Sequence, residues 1–274
     1  MSGMRGKPRF SSALFFAAIA AYVFIVLGIL LTVVLNSLSK GWYSGVLPPY
    51  LTKEWYAYAA SDHDIPSLLS VTFTVVVADV LIALLIAFPA AYVLARQEFK
   101  GKGLVLSLLL LPMIVPPMTY GIPLAMLCYK FHLAARVIGV ILVNLVPIVP
   151  FMVLVLMPFI EQVGANLESA AKMLGAGRWT IFRKILVPLT VPGILTAGIL
   201  SLVKAISMFD LTYLVAGGRS QTIVVALYAD AYAAGSRPPQ AVDALAVIYF
   251  LIAMTCLIIS LRFVSPTQMV FKLK

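Results

Sequence analysis

Asn166-Leu-Glu-Ser-Ala-Ala-Lys-Met-Leu-Gly-Ala-Gly-Arg-Trp-Thr-Ile-Phe-Arg-Lys-Ile-Leu-Val-Pro188 is a polar, basic stretch between two long apolar runs. Its residues carry their own helix signals. Asn166 is expected to cap a short helix, just after Gly164 breaks the preceding one. Glu168 falls in the first turn, where a carboxylate suits the helix dipole. It stands four residues before Lys172, the favourable order for an ion pair along a helix. Ala171 and Gly175 share that spacing and leave one face without bulk, and Gly175 and Gly177 are placed to end the helix. Trp179, Phe182 and Ile185 then recur every three residues. They predict an apolar edge resting on a membrane surface, with Arg178, Arg183 and Lys184 turned to headgroups or to a partner. Pro188 and Pro192 suit the start of the following helix.

What lies on either side of this stretch sets the class of fold. The chain has 274 residues, of which 62% are hydrophobic and 11% charged. Soluble domains carry about 45–50% apolar and about 25% charged residues. So apolar a chain has too little polar surface to cover a core in water, and the excess faces lipid. A membrane-crossing helix needs about 20 mostly apolar residues. Six stretches meet this: Ala13–Leu35, Leu68–Leu94, Leu104–Tyr129, Val137–Ile160, Val187–Val215 and Ala244–Leu261. The expected fold is therefore an all-α membrane protein with six transmembrane helices. Arg5, Lys7 and Arg9 precede the first run as in a signal peptide. The run is longer than a signal core and no small-residue cleavage site follows, so it reads as a retained span.

The segment Asn36–Pro66 is polar and aromatic, with Trp42, Tyr43, Trp55, Tyr56 and Tyr58. Trp and Tyr favour the membrane–water boundary, and an external loop with a short interfacial helix is expected here. The net charge is +10. Its Lys and Arg are spread among the loops, so it reads as membrane orientation, with no nucleic acid partner. With the N-terminus inside, 13 of the 20 basic residues fall on the inner side, 6 on the outer side, and Lys204 within a span. Both termini are thus expected in the cytoplasm. Cys128, Cys256, His63 and His132 are isolated and suggest neither a disulfide framework nor a metal site.

Three charges fall inside spans: Asp79 in the second, and Lys204 and Asp210 in the fifth. Each costs at least about 2.5–3.5 kcal/mol at mid-membrane unless it faces protein or water. Lys204 and Asp210, six apart, point to different sides of one helix. Two readings stand: a structural role, as a pair between Lys204 and Asp79 or as residues near the boundary that snorkel, or a lining of a solute path. The prolines of the third and fourth spans, among them Pro112, Pro116, Pro117, Pro147, Pro150 and Pro158, either kink helices for packing or break hydrogen bonding beside a cavity.

The stretch Asn166–Pro188 resembles the cytoplasmic loop of binding-protein-dependent ABC importer permeases. That loop reads EAA, three residues, Gly, then Ile-x-Leu-Pro. Ala170, Ala171, Gly175, Ile185 and Pro188 match. Ser169 stands where the family has Glu, Glu168 is one residue early, and Val187 replaces Leu. The likeness extends from about Ser67 to Leu261, through Ser70-Val-Thr-Phe-Thr, Pro89-Ala-Ala-Tyr-Val-Leu-Ala-Arg96 and Leu111-Pro-Met-Ile-Val-Pro-Pro117. The chain looks most like spermidine/putrescine-type permeases and their iron(III), phosphonate and opine relatives.

The resemblance implies a type I ABC importer permease fold, with a five-helix core plus an N-terminal helix. It divides the chain into 1–66 (first span and external loop), 67–264 (permease domain) and 265–274 (cytoplasmic tail). It implies Glu168, Ser169, Ala170, Ala171, Lys172, Gly175 and Ala176 as the ATPase-coupling residues, and Asp79, Lys204 and Asp210 as candidates for the substrate path. No catalytic residue or cofactor is expected in this chain, because ATP and Mg belong to two ATPase partner subunits. A second permease subunit, forming a heterodimer, and an extracytoplasmic binding protein complete the expected complex. A polyamine-like solute is favoured over iron, phosphonate or opine. The alternative is a secondary transporter or channel without an ATPase, which would leave the loop pattern as coincidence.

Overall fold

A computed structural model describes residues 9–232 and 237–263. All regular elements among them are helical: α1 (Arg9–Ser37), α2 (Glu54–Asp62), α3 (Ile65–Arg96), α4 (Lys102–Ile114), α5 (Pro117–Lys130), α6 (Val137–Gln162), α7 (Ala165–Met173), α8 (Arg178–Ile181), α9 (Val187–Ile206), α10 (Asp210–Val215), α11 (Ile223–Tyr232) and α12 (Pro239–Phe263). A π-helical turn, Phe182–Leu186, joins α8 to α9. The expected tail 265–274 lies outside the described residues.

The chain forms two compact units, one of residues up to His63 together with 230–248, the other of 64–229 with 249 onwards. In the first, α1 presents exposed apolar side chains, among them Phe15, Phe16, Tyr22 and Phe24. The segment after it doubles back through a single antiparallel bridge between Ser39 and Leu51. The Trp55 indole donates to the Ser39 carbonyl at 2.6 Å, and the Ser37 and Tyr56 hydroxyls lie 2.8 Å apart. The short helix expected in Asn36–Pro66 is α2.

In the second unit, α3, α6 and α9 form the core. Ala83, Ala87 and Ala91 recur every four residues along α3 and are wholly buried. Ile148, Met152, Leu156 and Ile160 do the same along α6 and lie in the same apolar cluster. A row of methyl side chains lets a row of larger ones approach closely, the usual way helices associate in lipid. Gly193 of α9 serves the same end, since an added Cβ would sit 2.5 Å from Phe159 of α6.

The spans differ from expectation first at the third and fifth runs. The run Leu104–Tyr129 is two helices, α4 and α5, bent by 96°. Val115 is extended (ψ 134°) because Pro116 follows it, and Pro116 and Pro117 lack the N–H groups needed to continue α4. The described residues thus hold five helices long and apolar enough to cross a membrane, or six if this bent pair is one span. The run Val187–Val215 is also interrupted: α9 stops at Ile206, where the Ser207 hydroxyl caps the Val203 and Lys204 carbonyls at 3.1 Å each. Lys204 and Asp210 therefore do not share a helix. The loop expected before the sixth span contains α11, whose first N–H, at Ile223, donates to the buried Thr72 hydroxyl of α3 at 3.0 Å.

Candidate functional site

The structure places the start of the quoted loop as a separate helix, α7, followed by a turn that leads into α8 and α9. Its start differs from expectation. Gly164, with no side-chain bond, stands at the N-cap, and Asn166 lies inside the first turn. Its end follows the expected pattern closely. Gly175 is left-handed (φ +83°), its N–H donates to Lys172 at 2.9 Å, and the N–H of Ala176 donates to Ala171 at 2.9 Å. This pair of bonds is a Schellman closure, and glycine adopts its left-handed position without strain.

Glu168 does not pair with Lys172. It is only 5% exposed and turns towards the end of α3. Its carboxylate accepts from the Arg96 Nε at 2.8 Å and from the Tyr92 hydroxyl at 2.9 Å. Arg96 also donates to the Val163 carbonyl at the entry to α7. One guanidinium thus holds both the helix and the chain leading into it. A buried carboxylate held by two donors from α3, a guanidinium and a phenol, outcompetes an exposed pairing along one helix, which is worth about 0.2–0.5 kcal/mol.

With Glu168 inward, the opposite side of α7 is bare. Ser169, Ala170 and Lys172 are exposed, Ala171 and Ala176 half-buried. Met173 and Leu174 are each 89% exposed. These two apolar side chains were absent from the sequence-derived set, and so were Tyr92 and Arg96. Arg178–Leu186 is not a segment separate from the next helix. It continues through the π turn into α9, giving one helical span Arg178–Ile206. The aromatic edge survives in part, with Trp179 stacked on Phe182 at 5.6 Å.

The charges of the candidate path separate. Asp79 is wholly buried and accepts from the Asn144 amide of α6 at 3.1 Å, and the Asn144 oxygen accepts from the Thr212 hydroxyl of α10 at 3.2 Å. Asp79 therefore joins a polar chain across α3, α6 and α10. The expected pairing of Lys204 with Asp79 is not formed. Lys204 lies over the Phe151 ring, 5.3 Å from its centre, and Asp210 is half-buried in the first turn of α10. An Asn inside the apolar run of α6 was the available signal for this network.

Residues 80–269 match the family described as "Binding-protein-dependent transport system inner membrane component". The molybdenum transport system permease protein ModB of Escherichia coli K12 is 32% identical over 186 residues, covering 62% of this chain and 80% of that protein. The sulfate transport system permease protein CysW of Synechocystis is 26% identical over 222 residues, covering 76% and 78%. A chain of a bacterial ABC transporter involved in the import of the acidic polysaccharide alginate aligns with a TM-score of 0.78 over 96% of this chain and 99% of that one, at 15% identity. That last likeness shows the fold. The alternative of a transporter without an ATPase is set aside by the family match. The chain belongs to the binding-protein-dependent transport system inner membrane components, as a multi-pass permease subunit of an ABC importer that couples to an ATPase and is not itself an enzyme.

Proposed function

We propose that α7 is the element that docks on the ATPase, oriented with both chain termini in the cytoplasm. The observation that supports this reading is the division of α7 into two sides. One is fastened to α3 through Glu168 and Arg96. The other offers Ala170, Met173 and Leu174 beside a tight glycine closure. Two leucine-sized side chains so exposed at a polar end of a bundle fit a groove on another protein. A helix fixed at its base transmits displacement into α3, which is packed along α6. A second permease of related sequence and two ATPases complete the complex under this reading, with 1–66 flanking a permease domain of 67–264. Met173→Asp with Leu174→Asp is expected to abolish retention of the ATPase on affinity purification, while the permease elutes at an unchanged position in size-exclusion chromatography. Full retention would remove α7 from docking.

For the solute, a small oxyanion is better supported than the polyamine-like cation expected from the sequence. The acidic lining that favoured a cation has lost Asp79 to Asn144. Lys204, half-buried with no carboxylate bonded to it among the described residues, suits an anion, and the relatives named above serve molybdenum and sulfate systems. In proteoliposomes with the cognate binding protein, Lys204→Gln is expected to lower molybdate or sulfate uptake about tenfold, with Asp210→Asn near wild type. The magnitude follows from loss of one charge-assisted contact. Spermidine uptake that falls with Asp210→Asn would restore the cationic reading.

A further inference from the structure

A groove of about 940 Å³ runs beside α7, walled by the last four turns of α3 on one side and by α8, the π turn and the start of α9 on the other. Its walls are apolar for most of their length, through Leu84, Leu85, Phe88, Phe182 and Ile194, and its mouth carries Lys172, Arg178, Trp179 and Gln97. We infer that this groove is a binding site for one anionic phospholipid, whose phosphate meets Lys172 and Arg178 and whose acyl chain lies along α3.

Four features favour this occupant. The first is charge. Neither Lys172 nor Arg178 forms an ion pair among the described residues, since the nearest acid on α7, Glu168, is held by Arg96. An apolar helix from another protein seated in the groove would desolvate those two cations without an anion to match them, which is costly. A phosphate supplies the anion and leaves both side chains partly in water.

The second is length. From Leu84 to Gln97, the residue that caps α3, the groove follows 13 residue steps, about 20 Å of helix rise. Half of a bilayer's hydrocarbon core is about 15 Å, so one leaflet's acyl chain with its headgroup spans the groove from end to end. The third is polarity order. Trp179 is 69% exposed at the charged end, and Trp marks the headgroup level. The apolar wall lies to one side of it and the basic residues beside it, the same order that a lipid molecule presents. The fourth is shape. The stacked rings of Trp179 and Phe182, with Phe88 edge-on to Phe182 at 5.4 Å, give the groove an aromatic side wall.

The site adjoins α7 through Lys172 but does not depend on what α7 docks with. It would couple headgroup charge in the membrane to the setting of that helix.

The test is lipid retention by the purified full-length chain, read by native mass spectrometry in detergent doped with equal palmitoyl-oleoyl phosphatidylglycerol and phosphatidylcholine. One phosphatidylglycerol per chain is expected to survive collisional activation. Lys172→Gln with Arg178→Gln is expected to weaken its retention by roughly ten- to thirtyfold, as two cations near an anionic headgroup each contribute several-fold. Arg183→Gln with Lys184→Gln, on the same basic segment but outside the groove, is expected to leave it unchanged. Leu84→Trp, which fills the wall, is expected to lower retention of both lipids. Equal retention of the two lipids by the wild type, or an equal loss in the Arg183/Lys184 variant, would overturn the inference by showing ordinary solvation or a diffuse basic surface. So would efficient disulfide crosslinking from Leu85→Cys to a neighbouring permease in the assembled transporter, which would put protein in the groove. Because retention is measured without the ATPase, its failure leaves the docking role of α7 untouched, and the reverse also holds.

Discussion

Glu168→Ala is expected to detach α7 from α3 and to uncouple the transporter while leaving the rest of the bundle folded. Removing one partner of a buried ion pair leaves the other uncompensated, at a cost of about 3–5 kcal/mol. Arg96 would keep its bond to the Val163 carbonyl and lose both the carboxylate and the dipole that Tyr92 shares. The loss falls on a nine-residue helix, which opens locally at lower free energy than the bundle as a whole. Hydrogen exchange over 165–176 should therefore rise by about two orders of magnitude, with α3 and α6 unchanged, and transport-coupled ATP hydrolysis in proteoliposomes should fall at least about tenfold. Arg96→Ala should act similarly, and the double variant should cost less than the sum, because the two side chains act as one unit. Unchanged exchange in Glu168→Ala would show that the small-residue face alone holds the helix. The displaced acid would then have no part in coupling.

The second large effect is expected at Asn144. It is the middle member of the chain from Asp79 to Thr212 and satisfies one group on each side. One oxygen of Asp79 already lacks a hydrogen-bond partner among the described residues. Asn144→Leu would strand the second oxygen of Asp79 and the Thr212 hydroxyl, and each buried polar group left unpaired costs about 1–3 kcal/mol. The thermal midpoint by fluorescence-detected size-exclusion chromatography should fall sharply, with little protein recovered. Asp79→Leu combined with Asn144→Leu should recover a good part of the loss, since apolar groups of similar shape can replace a buried polar pair. If the single variant is as stable as wild type, the network is not what fastens α10 to the core. Any role for Asp79 would then be sought in transport.

Several features were readable from composition and local spacing. Long apolar runs must be helices in lipid, because no water is present there to satisfy the backbone. The polar insert could only be a loop, and Gly175 announced the end of its helix because a left-handed closure selects glycine. The short helix within 36–66 followed from aromatic clustering at a boundary. Other features were not readable. A run of apolar residues does not say where its helix is interrupted: Pro112, Pro147 and Pro150 sit inside helices, whereas Pro116 and Pro117 end one. The difference lies in the doubling: two successive prolines remove two donors and Val115 before them is extended, whereas a single proline leaves its helix running.

For the candidate site, the sequence by itself determined that a glycine-ended, small-faced helix stands between two spans, with a carboxylate in its first turn. Only the tertiary structure decided what that carboxylate does. Helical spacing offered Glu168 a partner at Lys172, because four residues is one turn and is visible in any string of letters. The partner it takes, Arg96, is 72 residues away and becomes adjacent only when α3 and α6 pack. The same holds for Asp79, for which Lys204 was an equally plausible partner by charge. The fold instead brings Asn144 to it. Local periodicity fixes which face of a helix is apolar. Which polar groups meet across helices depends on burial and on the order of packing, and these are set by the whole chain.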